Sequence, residues 1–102
     1  MLVKAGVDIS RLRRPIRKIL NKLDEIYRKH GYELVITSTY EGNHSPGSLH
    51  YANLAIDIRA PKKDREKLYK EIKEVLSDDY DVVLERTHIH IEYDPKDKEV
   101  LY

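Results

Sequence analysis

Along the segment His88–Tyr93, polar and apolar side chains alternate, and this alternation constrains the fold more than any other feature of the chain. Successive side chains of a β-strand point to opposite faces of the sheet. The two isoleucines of the segment therefore share one face, and His88, His90 and Glu92 share the other. The isoleucine face predicts a packed core, whereas two imidazoles and a carboxylate together are costly unless they pair with another group.

A second strand, predicted over Leu54–Ile58, carries one carboxylate, Asp57, among apolar neighbours. An unpaired carboxylate in such a run is penalised, and a divalent cation would neutralise it while engaging the imidazoles. The chain contains no cysteine, so the metal ligands available are His, Asp and Glu side chains. Zinc accepts this set, with three protein ligands and a water in catalytic sites. Two imidazoles and one carboxylate also suit Fe(II), Mn or Co.

Helical spacing of apolar residues predicts a helix in the first third of the chain. The helix is expected to begin between Ser10 and Pro15, which are N-terminal signals, and to end at Gly31, which suits a left-handed residue. The remaining expected elements are a strand over Tyr32–Thr39, a loop over Glu41–Gly47, a second helix capped by Asp64, and a strand over Tyr80–Glu85.

The order of these elements predicts the α+β class, with two helices packed on a small, mostly antiparallel sheet. A chain of 102 residues forms one domain, here 1–102, with its core at about residues 10–94 and a polar C-terminal tail. No apolar stretch could span a membrane, and the N-terminus does not resemble a signal peptide. A soluble monomer is expected.

Basic residues are concentrated near the N-terminus, where residues 1–31 hold nine Lys and Arg against three Asp and Glu. A solvated helix face accounts for this excess, although it could also attract an anionic polymer. No aromatic platform accompanies the basic residues, so no specific nucleic-acid partner is expected.

Four of the five histidines fall in two short segments that resemble a known superfamily. The first, His44–Asp57, resembles the zinc segment of the Hedgehog signalling domain. It is also similar to the Ser-x-His-x-x-Gly-x-Ala-x-Asp signature of D-Ala-D-Ala carboxypeptidases, VanX-type dipeptidases and phage endolysin peptidases. The second, Glu85–Glu92, contains a similar His-x-His motif. The resemblance covers roughly Leu34–Asp94 and implies a Hedgehog/DD-peptidase-like fold.

The resemblance implies that His50, Asp57 and His90 bind one zinc ion per chain. A second register stays open, because some relatives use Glu-x-x-His with the final His as the ligand. Glu85 and His88 also fit that pattern. In that register His88 would be the third ligand and His90 the auxiliary histidine.

The same resemblance implies roles in catalysis and substrate binding. Glu85 is expected to take a proton from the attacking water and pass it to the leaving amine. His88 and His44 are expected to stabilise the transition state. Ser48 is expected to fix its loop and contribute to substrate binding. Arg59 is a candidate for binding a substrate carboxylate.

The implied function is hydrolysis of peptidoglycan stem peptides by a zinc-activated water, as in D-Ala-D-Ala carboxypeptidases and endolysin peptidases. The enzyme would be cytoplasmic or released by a phage lysis system. Two positions depart from the family. Asn53 replaces a glycine, which is tolerable because Asn adopts positive φ. Tyr40 and Glu41 stand where cell-wall peptidases carry a carboxylate-binding Arg, which weakens the carboxypeptidase assignment. The alternative is a non-catalytic zinc-binding interaction module.

Overall fold

The computed structural model describes residues 1–39 and 53–95, in which five strands form one mixed sheet. In chain order the elements are β1 (Leu2–Val3), α1 (Arg14–Arg17), α2 (Leu20–Lys29), β2 (Val35–Ser38), β3 (Ala55–Arg59), α3 (Arg65–Val75), β4 (Tyr80–Leu84) and β5 (His88–Tyr93). The strand order is β1-β2-β3-β5-β4. The β1–β2 pair is parallel, and the other three pairs are antiparallel.

The α+β class is confirmed, with α2 and α3 as the principal helices, but the sheet is mixed. The sequence did not predict β1, which runs parallel to β2 with Leu2 opposite Val35. Its attachment is through the backbone, since the amide of Leu2 donates to the carbonyl of Leu34 at 2.7 Å. Two exposed residues are too short a strand to show an alternating pattern.

The first predicted helix is divided into α1 and α2, with Lys18 and Ile19 between them. Its apolar stripe is nevertheless continuous in the core, where Ile16, Ile19 and Leu23 are buried. Gly31 follows α2 with a φ of +84°, as predicted for the residue that ends the helix.

Asp64 precedes α3 as predicted, but its side chain does not cap the helix. Its backbone is left-handed, with a φ of +63°. Its Oδ2 instead accepts a hydrogen bond of 3.0 Å from the hydroxyl of Tyr32. The capping role expected for Asp64 is therefore wrong. Its carboxylate instead links the start of α3 to Tyr32, which follows α2.

The two faces of the sheet differ sharply. On one face, Ile56, Ile58, Ile89 and Ile91 are fully buried in the core that the helices cover. Each such side chain contributes about 1.5–3 kcal/mol through burial. The alternation predicted for β5 is thus confirmed, and its histidines lie on the opposite face. Within residues 1–39 and 53–95, none of the helices combines the length and apolar character needed to cross a membrane.

Candidate functional site

The candidate site is built on two neighbouring antiparallel strands, β3 and β5. Their register places Asp57 directly opposite His90 and Arg59 opposite His88. The same register pairs Ile56 with Ile91, so burial of the isoleucines holds the polar residues together on the other face. Asp57 is only 9% exposed, so its carboxylate depends on neighbouring groups for compensation.

Both oxygens of the Asp57 carboxylate face an imidazole. His90 Nδ1 lies 3.0 Å from Oδ1, and His88 Nε2 lies 3.8 Å from Oδ2. The other ring nitrogen of His88, Nδ1, is 3.2 Å from the hydroxyl of Thr87. The structure therefore brings together three of the predicted site residues, Asp57, His88 and His90.

The separation of Asp57 and His90 fits a shared zinc ion. Zinc bonds to imidazole nitrogen and carboxylate oxygen are about 2.0–2.2 Å long, so two ligand atoms of a tetrahedral site lie about 3.3 Å apart. The distance from Asp57 Oδ1 to His90 Nδ1, 3.0 Å, is closer to that value than the distance from Asp57 Oδ2 to His88 Nε2, 3.8 Å. The donor set of carboxylate and imidazole is one that zinc accepts.

His90 contacts a second carboxylate that the sequence analysis did not assign to the site. Its Nε2 lies 2.6 Å from Oε1 of Glu92. The hydrogen bond with Asp57 raises the pKa of His90 most strongly, and the bond with Glu92 adds to this increase, while burial opposes it. The placement of Glu92 two residues after His90 on the same strand face was the signal that could have identified it.

Glu85, the expected proton acceptor, lies in the exposed turn between β4 and β5. Its amide donates to the carbonyl of His88 at 2.8 Å, which extends the strand pairing by one step. By alternation from Val83, which pairs with His90, Glu85 lies on the histidine side of the sheet. The Arg65 guanidinium donates hydrogen bonds to the backbone carbonyls of Glu85 and Arg86, so α3 holds this turn in place.

Arg59, the expected substrate-binding residue, ends β3 and is exposed. It lies two residues beyond Asp57, and therefore on the same face. Its backbone is held from the core side, where the hydroxyl of buried Tyr27 donates to the carbonyl of Arg59 at 2.6 Å.

His44, Ser48 and His50 lie outside the described residues. The residues on either side of that gap are attached to the N-terminal segment. The Thr39 hydroxyl donates to the carbonyl of Asp8 at 2.9 Å, and the amide of Arg13 donates to the carbonyl of Asn53 at 3.1 Å. Asn53 has a φ of +60°, the positive φ that the sequence analysis expected Asn to adopt here.

A carboxylate cluster that was not predicted lies beside the site. Among residues 1–39 and 53–95, one carboxylate oxygen from each of Asp81, Glu92 and Asp94 lies within 4.8 Å of the other two. Asp81 and Glu92 face each other across β4 and β5. Glu92 thus joins this cluster to His90.

Comparison with known proteins identifies a family. The family model described as Peptidase M15 matches residues 2–92. No curated protein and no solved structure matches the chain significantly. Peptidases of this family are zinc-dependent. The match extends over most of the chain, including every residue of the β3–β5 site, and the chain therefore belongs to the peptidase M15 family of the Hedgehog/DD-peptidase-like zinc peptidase superfamily.

Proposed function

We propose that this protein is a zinc metallopeptidase that hydrolyses peptide bonds in peptidoglycan stem peptides, with one zinc held by His50, Asp57 and His90. Family membership supports a zinc peptidase activity in general. The observation that carries the assignment of the site is the 3.0 Å contact between Asp57 and His90 on neighbouring strands.

The geometry favours His90 over His88 as the third ligand. The ring of His90 is closer to the Asp57 carboxylate, at 3.0 Å against 3.8 Å. Its side chain is also less exposed, 19% against 32%, so competition from solvent is weaker. His88, on the same face and nearer the turn, is then available as the auxiliary histidine.

The remaining residues would handle protons and charge. When bound, zinc acts as a Lewis acid and allows water to act as a nucleophile near neutral pH. Glu85, on the histidine side of the sheet, accepts a proton and later delivers it to the leaving amine. His88 donates a hydrogen bond to the oxyanion from Nε2, the nitrogen that faces the site. His44 would assist it.

Arg59 is the proposed anchor for a substrate carboxylate. Its guanidinium group offers two parallel hydrogen bonds that match a carboxylate. It lies two residue pairs beyond Asp57 and His90 along the β3–β5 ladder, opposite His88. A carboxylate bound there would place a nearby peptide bond over the site, so Arg59 would replace the Arg that related cell-wall enzymes carry after the strand corresponding to β2. Ser48 would contribute from its loop.

Replacing Glu85 by Gln tests this function. E85Q should retain one zinc per chain, because the variant keeps all proposed ligands. Hydrolysis of purified peptidoglycan and of synthetic stem peptides should fall by about 10²–10⁴-fold. E74Q on the exposed side of α3 is the matched control and should hydrolyse like the parent protein.

Two results would count against the proposal. If E85Q hydrolyses the peptides at the parental rate, Glu85 is not the proton acceptor. If the parent protein binds zinc but cleaves none of a panel of D- and L-amino-acid peptides, the chain is a zinc-binding interaction module instead.

A further inference from the structure

We infer that Glu92 is a positioning residue, which accepts a hydrogen bond from Nε2 of His90 and thereby directs Nδ1 toward a metal ion beside Asp57. This inference rests on the proposed zinc site. It goes beyond that site by assigning a role to a residue outside the ligand set and by specifying which ring nitrogen binds the metal.

The His90 ring lies between two carboxylates. Its Nδ1 is 3.0 Å from Asp57 Oδ1, and its Nε2 is 2.6 Å from Glu92 Oε1. A protonated ring could donate to both carboxylates, but a ring that binds a metal ion is neutral and carries one N–H group. A metal ion bound to one nitrogen would therefore leave the proton on the other, which then donates to the carboxylate that it faces.

Several contacts place the metal on the Asp57 side. The Asp57 side chain is 12% exposed, against 24% for Glu92, so its charge is the less hydrated of the two. A second imidazole, that of His88, lies 3.8 Å from Asp57. Glu92 instead faces another carboxylate, Asp81, across the β4–β5 pair. Asp57 therefore lies beside two imidazole rings whose nitrogens can bind a metal, whereas the carboxylate of Glu92 is suited to accept an N–H group.

The position of Glu92 suits this role. It lies two residues after His90 on β5, so both side chains leave the same face of a strand that is paired on both edges. A carboxylate that accepts the second N–H of a metal-binding His fixes the tautomer and orientation of the ring and increases its basicity. Loss of such a partner commonly reduces metal affinity about 10–100-fold.

The first test is zinc affinity, measured by competition with a chromophoric chelator. E92A should bind zinc about 10–100-fold more weakly than the parent. E92Q keeps an oxygen acceptor without the charge, so its loss should be smaller than that of E92A. D78N removes a carboxylate at an exposed position and should bind zinc within about twofold of the parent. Parental affinity in E92A, or an equal loss in D78N, would overturn the inference.

The second test is the tautomer of His90 in the zinc-loaded protein, read from the ring ¹⁵N shifts by NMR. Protonated Nε2 and zinc-bound Nδ1 are expected, and E92A should broaden or shift the Nε2–H signal. Zinc bound through Nε2 would place the metal on the Glu92 side and overturn the inference. Because neither test measures hydrolysis, a protein that shows both effects without peptidase activity would refute the proposed function alone, whereas parental affinity in an active E92A would refute this inference alone.

Discussion

Asp57 and His90 face each other across β3 and β5, with carboxylate Oδ1 3.0 Å from imidazole Nδ1, although they are 33 positions apart along the chain. Their meeting depends on strand register, since a slip of one residue would move either side chain to the opposite face. The register is specified by the buried isoleucines on the other side of the same strands. The pairing of β3 with β5 therefore produces both the packing of the core and the arrangement of the site.

Replacing Asp57 by Asn should abolish zinc binding at one equivalent per chain, because the amide keeps the shape of the side chain but loses its charge. In the parent, zinc at 100 times its Kd should stabilise the fold by about 2.7 kcal/mol. The increase in Tm on adding zinc should therefore disappear in D57N. D78N, at an exposed position, is the control and should respond to zinc like the parent. Parental zinc affinity in D57N would remove Asp57 from the ligand set.

Ile91 and Val83 offer a matched comparison of the two sheet faces. Ile91 is fully buried and paired with Ile56 and Val82, whereas Val83 is 43% exposed and lies opposite His90. I91A should lower the free energy of unfolding by about 2–5 kcal/mol, and V83A by about 0.5 kcal/mol or less. Urea unfolding followed by circular dichroism measures both. Equal losses would mean that the face assigned to the core is not the one that stabilises the sheet.

Glu71 should make stability fall at acidic pH. Its hydrogen bond with His30, followed by that with Lys29, holds the pKa of Glu71 below its ordinary value. A carboxyl group whose pKa is lower in the folded state stabilises the protein above its unfolded pKa, and this contribution is lost as the pH falls through the folded value. Urea unfolding should thus show that the free energy of unfolding falls less between pH 7 and pH 3 in E71Q than in the parent.

E74Q, on the exposed side of the same helix, is the control for this pH series and should follow the parental curve. The series is best run without zinc, so that protonation of metal ligands does not contribute. If the free energy of unfolding of E71Q falls as steeply with acid as that of the parent, the contacts of Glu71 with Lys29 and His30 contribute nothing to stability.

Asn53 has a φ of +60°, which distinguishes two substitutions there. Glycine adopts this conformation freely, so N53G should change the free energy of unfolding by only a few tenths of a kcal/mol. Alanine pays a penalty of about 1–2 kcal/mol in the left-handed region, so N53A should be less stable by that amount. Thermal unfolding of the three proteins under identical zinc concentrations gives the comparison. A destabilised N53G with an unchanged N53A would contradict it.

Several elements were predictable because their signals are local. The alternation in β5 and the burial of its isoleucines follow from side-chain period, and the left-handed Gly31 follows from its position after an apolar stripe. The interrupted first helix and β1 carried no such signal. Lys18 and Ile19 have no helix-breaking chemistry, and β1 is attached through backbone hydrogen bonds that any sequence could make.

The sequence by itself determined which residue types could form the site: no cysteine, two histidines on one strand face and an aspartate in an apolar strand. Only the tertiary structure decided which of them meet. It set Asp57 opposite His90, gave His90 a second carboxylate in Glu92 and fixed the turn at Glu85 through Arg65. The physical reason is that side-chain alternation is a local property of a strand, whereas register depends on how two distant strands bury their apolar faces together.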